Sequence, residues 1–283
     1  MRKETTLAKL TPPRLGNVYV RTRLFKQLDA MRKKSALIWV SATAGAGKTT
    51  LVASYLKTRR LSPLWYQIDD GDHDPASFFY HLRLAAQKVA PRRKPLPLLT
   101  PEYLAGLPAY TRNFFRDLYP RLRRPGILVL DNYQEVASTA ILHELLASGF
   151  SEIPDKTHVI VLSRAEPPAS FARLAANGHI AHLDGRALQL TEEETRGITR
   201  LRQGKKFTTR TPVQTLLHQT QGWVAGLVLL LEQMQSTPVD TVLDPSGDLS
   251  KVFDYFAAEI FRHTDTVTQD FLLTTSFLPK ITL

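Results

Sequence analysis

A glycine-rich stretch, Ala42-Thr43-Ala44-Gly45-Ala46-Gly47-Lys48-Thr49-Thr50, follows the apolar run ALIWVS at 36–41. A short apolar run ending in a turn reads as a buried strand. The stretch after it meets the phosphate-loop pattern of Gly, four residues, then Gly-Lys-Ser/Thr, except that Ala42 holds the first position. Gly45 and Gly47 let the backbone curl so that the N–H groups from Ala44 to Thr50 face an anion. The helix that follows adds its positive dipole end. Lys48 supplies a cation for terminal phosphates, and Thr49 a hydroxyl for Mg²⁺. A strand, this loop and a helix in immediate succession leave few folds open: a parallel sheet with helices around it.

The rest of the chain supplies the repeats of that unit. A helix is expected over 48–60 and a strand over 64–68. The acidic turn Asp69–Asp74 follows, and Asp74-Pro75 is a helix start running to about Val89. Residues 91–101 hold four prolines and three cations and form a connector. A helix is expected over 102–123, a strand over 126–130, a helix near 138–148 and a strand over 158–162. Short strands are expected at 180–183 and 187–190. Apolar strands alternating with helices make a parallel sheet covered on both faces. From Thr191-Glu192-Glu193-Glu194, a capping box, the pattern turns helical. Helices are expected from Thr211-Pro212 and over 223–235. Residues 236–248 are a linker, and 249–283 hold two helix-like stretches.

Two further strand ends carry chemistry. GILVL at 126–130 delivers Asp131, placed to hold Mg²⁺ directly or through water. Hydrolysis also needs a group that takes a proton from water. The position after Asp131 is Asn132, which orients a water but accepts no proton. Glu135 is the substitute, or simply a solvated carboxylate. The strand at 158–162 ends in Ser163-Arg164, where a cation can sense a γ-phosphate in the crevice at the carboxyl ends of a parallel sheet, or is simply a surface arginine in a turn.

Composition bounds the remainder. The formal net charge is +11, which draws the chain towards polyanions. Residues 1–34 are strongly basic, read as a solvated surface or as a nucleic-acid contact lacking interleaved aromatics. No cysteine is present, which excludes disulfides, thiolate zinc sites and a Cys nucleophile. No run reaches the ~18 apolar residues of a membrane span. A cytoplasmic protein without membrane contact is therefore expected. The histidines lack metal-ligand spacing, and the carboxylates of 69–74 read as a solvated, capped turn rather than a metal site.

The ordered series of phosphate loop, WYQIDDGDHDPASF, ILVLDNYQEV, VIVLSR, LQLTEEE and GWVAGL resembles the ATPase region of MalT-like, large LuxR-type transcription regulators, of the STAND class of signal-transduction ATPases. VYVRTRL at 18–24 is also similar to that family. The resemblance implies a P-loop NTPase domain over 1–188, a helical domain over 189–237, and the start of a winged-helix domain over 238–283, truncated here. It implies an ATP/ADP switch: Lys48, Thr49 and Asp131 on phosphate and Mg²⁺, Arg164 on the γ-phosphate, and Val20–Arg23 on the adenine side. Self-association is expected with ATP, and DNA binding through a C-terminal domain absent from this chain. Asn132 departs from the family's second acid and implies slow hydrolysis at most. The alternatives are an AAA+-like ATPase that remodels or loads on DNA, and a small-molecule kinase, which the helical region beyond 190 fits poorly.

Overall fold

The computed structural model describes residues 7–137, 140–204, 212–236 and 265–275. Five strands form one parallel sheet: β1 (Leu37–Ser41), β2 (Leu64–Gln67), β3 (Gly126–Asp131), β4 (Thr157–Ser163) and β5 (Ile180–Leu183), in the order β2-β3-β4-β1-β5. The helices between them are α1 (Thr22–Lys34), α2 (Lys48–Thr58), α3 (Pro75–Val89), α4 (Leu107–Leu118), α5 (Leu142–Phe150), α6 (Ala172–Ala176) and α7 (Gly185–Leu188).

Strand alternation and crossover hand sort the core into two layers. Register aligns Leu64, Leu128, Val159 and Leu37 across the sheet. All four sit in one buried cluster with Phe78, Phe114 and Leu145 of α3, α4 and α5. The next row, Trp65, Val129, Ile160 and Ile38, points the other way into a cluster with Leu24, Phe25, Val52 and Tyr55 of α1 and α2. Side chains alternate faces along a strand, and parallel connections cross over right-handedly. The β1-to-β2 connection runs towards one edge and the β3-to-β4 and β4-to-β5 connections towards the other. Their helices therefore fall on opposite faces. The apolar strand runs without polar alternation are what a sheet covered on both faces requires.

Three sequence expectations are corrected. The single helix over 102–123 is three pieces: a 3₁₀ turn at Pro101–Gly106, α4, and a second 3₁₀ turn at Tyr119–Arg121. Gly106 before Leu107-Pro108, and Pro120, break it, since proline is compatible with a first turn but not a helix interior. The strand over 187–190 is instead the short helix α7, because the Asp184 carboxylate caps Ala187 N at 2.9 Å. The acidic turn is not wholly solvated. Asp69 and Asp72 form a capping box, but Asp72 is 1% exposed. Its carboxylate accepts from Tyr66 Oη at 2.6 Å and from Lys9 Nζ at 3.0 and 3.1 Å. Lys9 is thus tied down rather than part of a loose basic tail.

The chain divides into two units, Met1–Gln189 and Leu190–Leu283. In the second unit, α8 (Glu192–Gln203), α9 (Val213–Thr220) and α10 (Val224–Ser236) pack on one another. The capping box is present: Thr191 Oγ1 accepts from Glu194 N, and Glu194 Oε2 from Thr191 N. A further helix among the described residues, α11, covers Thr266–Thr275. The linker expected over 236–248 and most of the winged-helix segment lie outside the described residues. No helix among the described residues is long and apolar enough to cross a membrane.

Candidate nucleotide site

The neighbouring strands β1 and β4 send their connections to opposite sides, which opens a crevice between their carboxyl ends. The phosphate loop lies there. Ala42 N donates to Ser163 O at 3.2 Å, so the loop starts pinned to β4. Gly45 (φ 71°) and Gly47 (φ 83°) occupy the left-handed region, and Gly47 is the N-cap of α2. Only glycine adopts that region without strain. Two such residues in three give the loop the tight backbone turn that an anion-binding loop requires.

Lys48 Nζ donates to Ala42 O at 2.5 Å and Thr43 O at 3.0 Å, so the amine closes the loop on itself. Burial lowers its pKa to about 8, helped by the nearby Arg164 charge and opposed by Asp131. Thr49 Oγ1 donates to Asp131 Oδ1 at 3.0 Å, bringing the first turn of α2 to the end of β3. Asp131 is 4% exposed, and burial raises its carboxyl above the ordinary value against the hydrogen bonds from Thr49 and Asn132 N and the charge of Lys48. A buried carboxylate raised in this way, beside a hydroxyl and facing a phosphate-shaped loop, is a donor set suited to a hard divalent cation.

Asn132 is left-handed (φ 59°), and this bend swings the 3₁₀ turn Tyr133–Glu135 towards β4. Gln134 Oε1 accepts from Arg164 N at 3.1 Å, and Gln134 Nε2 donates to Glu135 Oε1 at 3.1 Å. Lys48, Thr49, Asp131, Gln134, Glu135 and Arg164 therefore belong to one constellation. Val20 and Arg23 do not join it. Val20 is exposed, and Arg23 donates to Ala187 O and Gln189 O at 3.0 and 3.1 Å. Arg21 beside it is buried and bonds Leu188 O and Gln189 O at 2.8 and 3.1 Å. The two arginines clamp the carbonyl end of α7.

Sequence reasoning missed a second polar group on the far side of β1. Ser41, 2% exposed, donates to Glu166 Oε1 at 3.0 Å and lies 2.6 Å from His182 Nε2. His182 Nε2 is also 3.2 Å from Glu166 Oε2. Trp39 Nε1 donates to Ala165 O at 2.9 Å. Together these fix the loop that carries Arg164 onto the strand that feeds the phosphate loop. One signal was available: a serine ending an otherwise apolar strand needs a partner when buried. Gln134 carried none. Among the described residues, no group of three or more His, Asp or Glu is placed to hold a metal by itself.

The family model described as "Nephrocystin 3, N-terminal" matches residues 16–164. The HTH-type transcriptional regulator MalT of Serratia proteamaculans is 28% identical over 274 residues, covering 94% of this chain and 30% of that protein. MalT of Vibrio parahaemolyticus is 30% identical over 294 residues, covering 96% of this chain and 30% of its own length. The resemblance to MalT-like regulators thus runs along nearly the whole chain, which spans about 30% of the curated relatives it matches. Among solved structures, a signal transduction ATPase with numerous domains carrying a tetratricopeptide repeat sensor, from Pyrococcus horikoshii, is similar with a TM-score of 0.57 and 18% identity. It covers 98% of this chain and 37% of its own, and the likeness is one of fold.

Proposed function

We propose that this chain, which belongs to the Nephrocystin 3 N-terminal family, is the nucleotide-operated switch module of a MalT-like transcription regulator. The observation that carries the reading is Lys48. Its amine sits on the loop's own carbonyls, with the Thr49–Asp131 pair alongside, at the open end of a helix. A triphosphate or diphosphate offers that amine a better partner than two carbonyls, since it adds the attraction of full negative charges to the hydrogen bonds.

The N–H groups of 44–50 would cradle the phosphates. Thr49 and Asp131 would hold Mg²⁺, which when bound supplies charge neutralisation to the phosphate oxygens. Arg164, fixed by Gln134 and the Ser41–Glu166 contact, would read the γ-phosphate and so tell ATP from ADP. Hydrolysis is slow at most, because Asn132 accepts no proton and Glu135 is engaged by Gln134. The names of the relatives support a regulatory role: they are HTH-type transcriptional regulators. Adenine recognition near Val20, self-association with ATP, and DNA contact through a C-terminal domain complete the reading.

The test is isothermal titration of ADP and of ATP with Mg²⁺ into wild type and Lys48→Ala. Loss of binding in the variant, with wild type holding ADP at least as tightly as ATP and turning ATP over slowly, supports a switch. Unchanged binding in Lys48→Ala overturns the site. Fast turnover overturns the switch while leaving the site intact.

A further inference from the structure

At the amino ends of the strands, away from the phosphate loop, two basic segments meet. One follows α3 and the other precedes β3. Arg121 Nη1 donates to Lys94 O at 2.7 Å and its Nε to Asp117 O at 2.9 Å. Gln87 Nε2 holds the carbonyls of Pro91 and Arg93 at 3.0 and 3.1 Å. Lys88 and Arg123 are among the residues lining one hollow of about 330 Å³, whose other walls are mainly apolar, with Leu10, Trp65, Val89 and Leu122 in them. These ties bring Arg93, Lys94 and Arg121 together, with Lys88 and Arg123 on the shared hollow and Arg124 next along the chain.

The face is charged beyond what folding uses. Among the described residues none of the six forms an ion pair, and the hydrogen bonds of Arg121 go to carbonyl oxygens. Of the carboxylates nearby, Glu152 is bound by Arg116 at 2.7 and 3.0 Å, and Asp117 acts on Arg121 through its charge. Burial pulls Arg121 below the usual guanidinium range, Asp117 opposes, and the charge of Arg93 adds to the fall. A helix dipole stabilises cations only within its last turn. Arg93 and Lys94 lie beyond Pro91, past the end of α3 at Val89, and Arg123 and Arg124 lie beyond Arg121. Like charges held together oppose folding, so the arrangement calls for an external anion.

The chemistry of the face selects the anion. Protein partners dock on an apolar centre ringed by polar groups. Among the described residues, none of the exposed large apolar side chains falls within 88–94 or 121–125. The apolar side chains of the hollow, such as Leu10, Trp65 and Leu122, are buried rather than exposed, and arginine forks matched to oxygen pairs suit phosphates. We propose that this face binds the phosphate backbone of nucleic acid, independently of sequence.

The test is fluorescence anisotropy of a labelled duplex DNA of mixed sequence with the whole chain. For about four phosphate contacts, affinity falls about 100-fold between 50 and 200 mM salt. Arg93→Glu with Arg123→Glu is expected to weaken binding more than about tenfold and to lower the salt slope by about two. The charge-matched control, Lys26→Glu with Arg173→Glu, changes it less than about threefold. Both variants should keep the wild-type circular dichroism and melting temperature; if the first does not, Arg93→Gln with Arg123→Gln replaces it. Equal losses in test and control overturn the proposal, since net charge alone then binds. Failure of the duplex to bind, with a poly-glutamate peptide binding the same face, overturns it in favour of an acidic protein.

Discussion

Affinity for nucleotide should fall as pH rises, and Lys48 sets where. In the free chain its ammonium loses its proton at about pH 8, because burial disfavours the charge and Arg164 repels it. Phosphates beside the amine return it to at least its ordinary value, about 10.4. Below the lower value the amine is charged in both states, and pH has no effect through it. Above that value the free chain is neutral and the bound one charged, so binding takes up a proton and weakens with pH. Between about pH 7.5 and about pH 9.5 the two values give a loss of about 20-fold, or ~1.8 kcal/mol. ADP titrated in EDTA removes any metal from the measurement. Calorimetry in buffers of different ionisation enthalpy then counts the protons, with uptake of about one half per ADP near pH 8. Lys48→Arg should give a flat profile, since guanidinium does not titrate there. Arg164→Ala, by removing a repelling charge, should move the decline to higher pH. A flat wild-type profile, or the same decline in Lys48→Arg, refutes the reasoning.

Three further outcomes follow from the contacts. Asp131→Asn should raise the melting temperature of the metal-free chain by about 2–4 °C at neutral pH, because it removes a carboxylate whose ionisation burial opposes. That gain should vanish below about pH 4, where the carboxyl is protonated in either state; a fall at neutral pH would contradict it. Lys9→Met leaves the buried Asp72 carboxylate without its cation and should cost about 2–3 kcal/mol in urea unfolding. A double-mutant cycle with Asp72→Asn should return a coupling above ~1 kcal/mol, and near-zero coupling would mean the segment around Lys9 is not held by this pair. Gly149→Ala places a Cβ 2.3 Å from Phe115 Cδ2 and should cost about 1–3 kcal/mol, partly recovered by Phe115→Leu. Wild-type melting in Gly149→Ala would show that Phe115 simply moves aside.

The parts of the fold legible in the sequence are those where local chemistry and periodicity agree. Pro75 after Asp74 starts α3 as its capping predicts, with Asp74 accepting from Ala76 N and Ser77 N. The runs LIWVS, GILVLD and THVIVLS are strands because each has a core of at least four consecutive apolar residues, with polar residues only towards the ends. Ala187–Leu190 misled for a definite reason. Its apolar residues suit a strand, but Asp184 caps it and Arg21 and Arg23, far back in the chain, take its carbonyls. Asp72 misled similarly, since its burial depends on Lys9, over sixty residues away, and on Tyr66. Long-range partners of this kind leave no trace in a local pattern.

The same distinction explains the candidate site. Lys48, Thr49, Asp131 and Arg164 announce themselves because each terminates a strand or opens a helix. What makes them one site is supplied by residues without a motif. Gln134 ties the β3 loop to the β4 loop, Ser41 and His182 tie the β4 loop to β1 and β5, and Ala42 N ties the phosphate loop to Ser163. Each tie joins adjacent or next-adjacent strands at their carboxyl ends, a neighbourhood created by the order β2-β3-β4-β1-β5. Arg164 therefore has little freedom to shift without straining a hydrogen bond that reaches either the phosphate loop's own strand or the turn after Asp131. The sheet order therefore brings three separate strand ends together, and each is hydrogen-bonded to the next through the segment that carries Arg164.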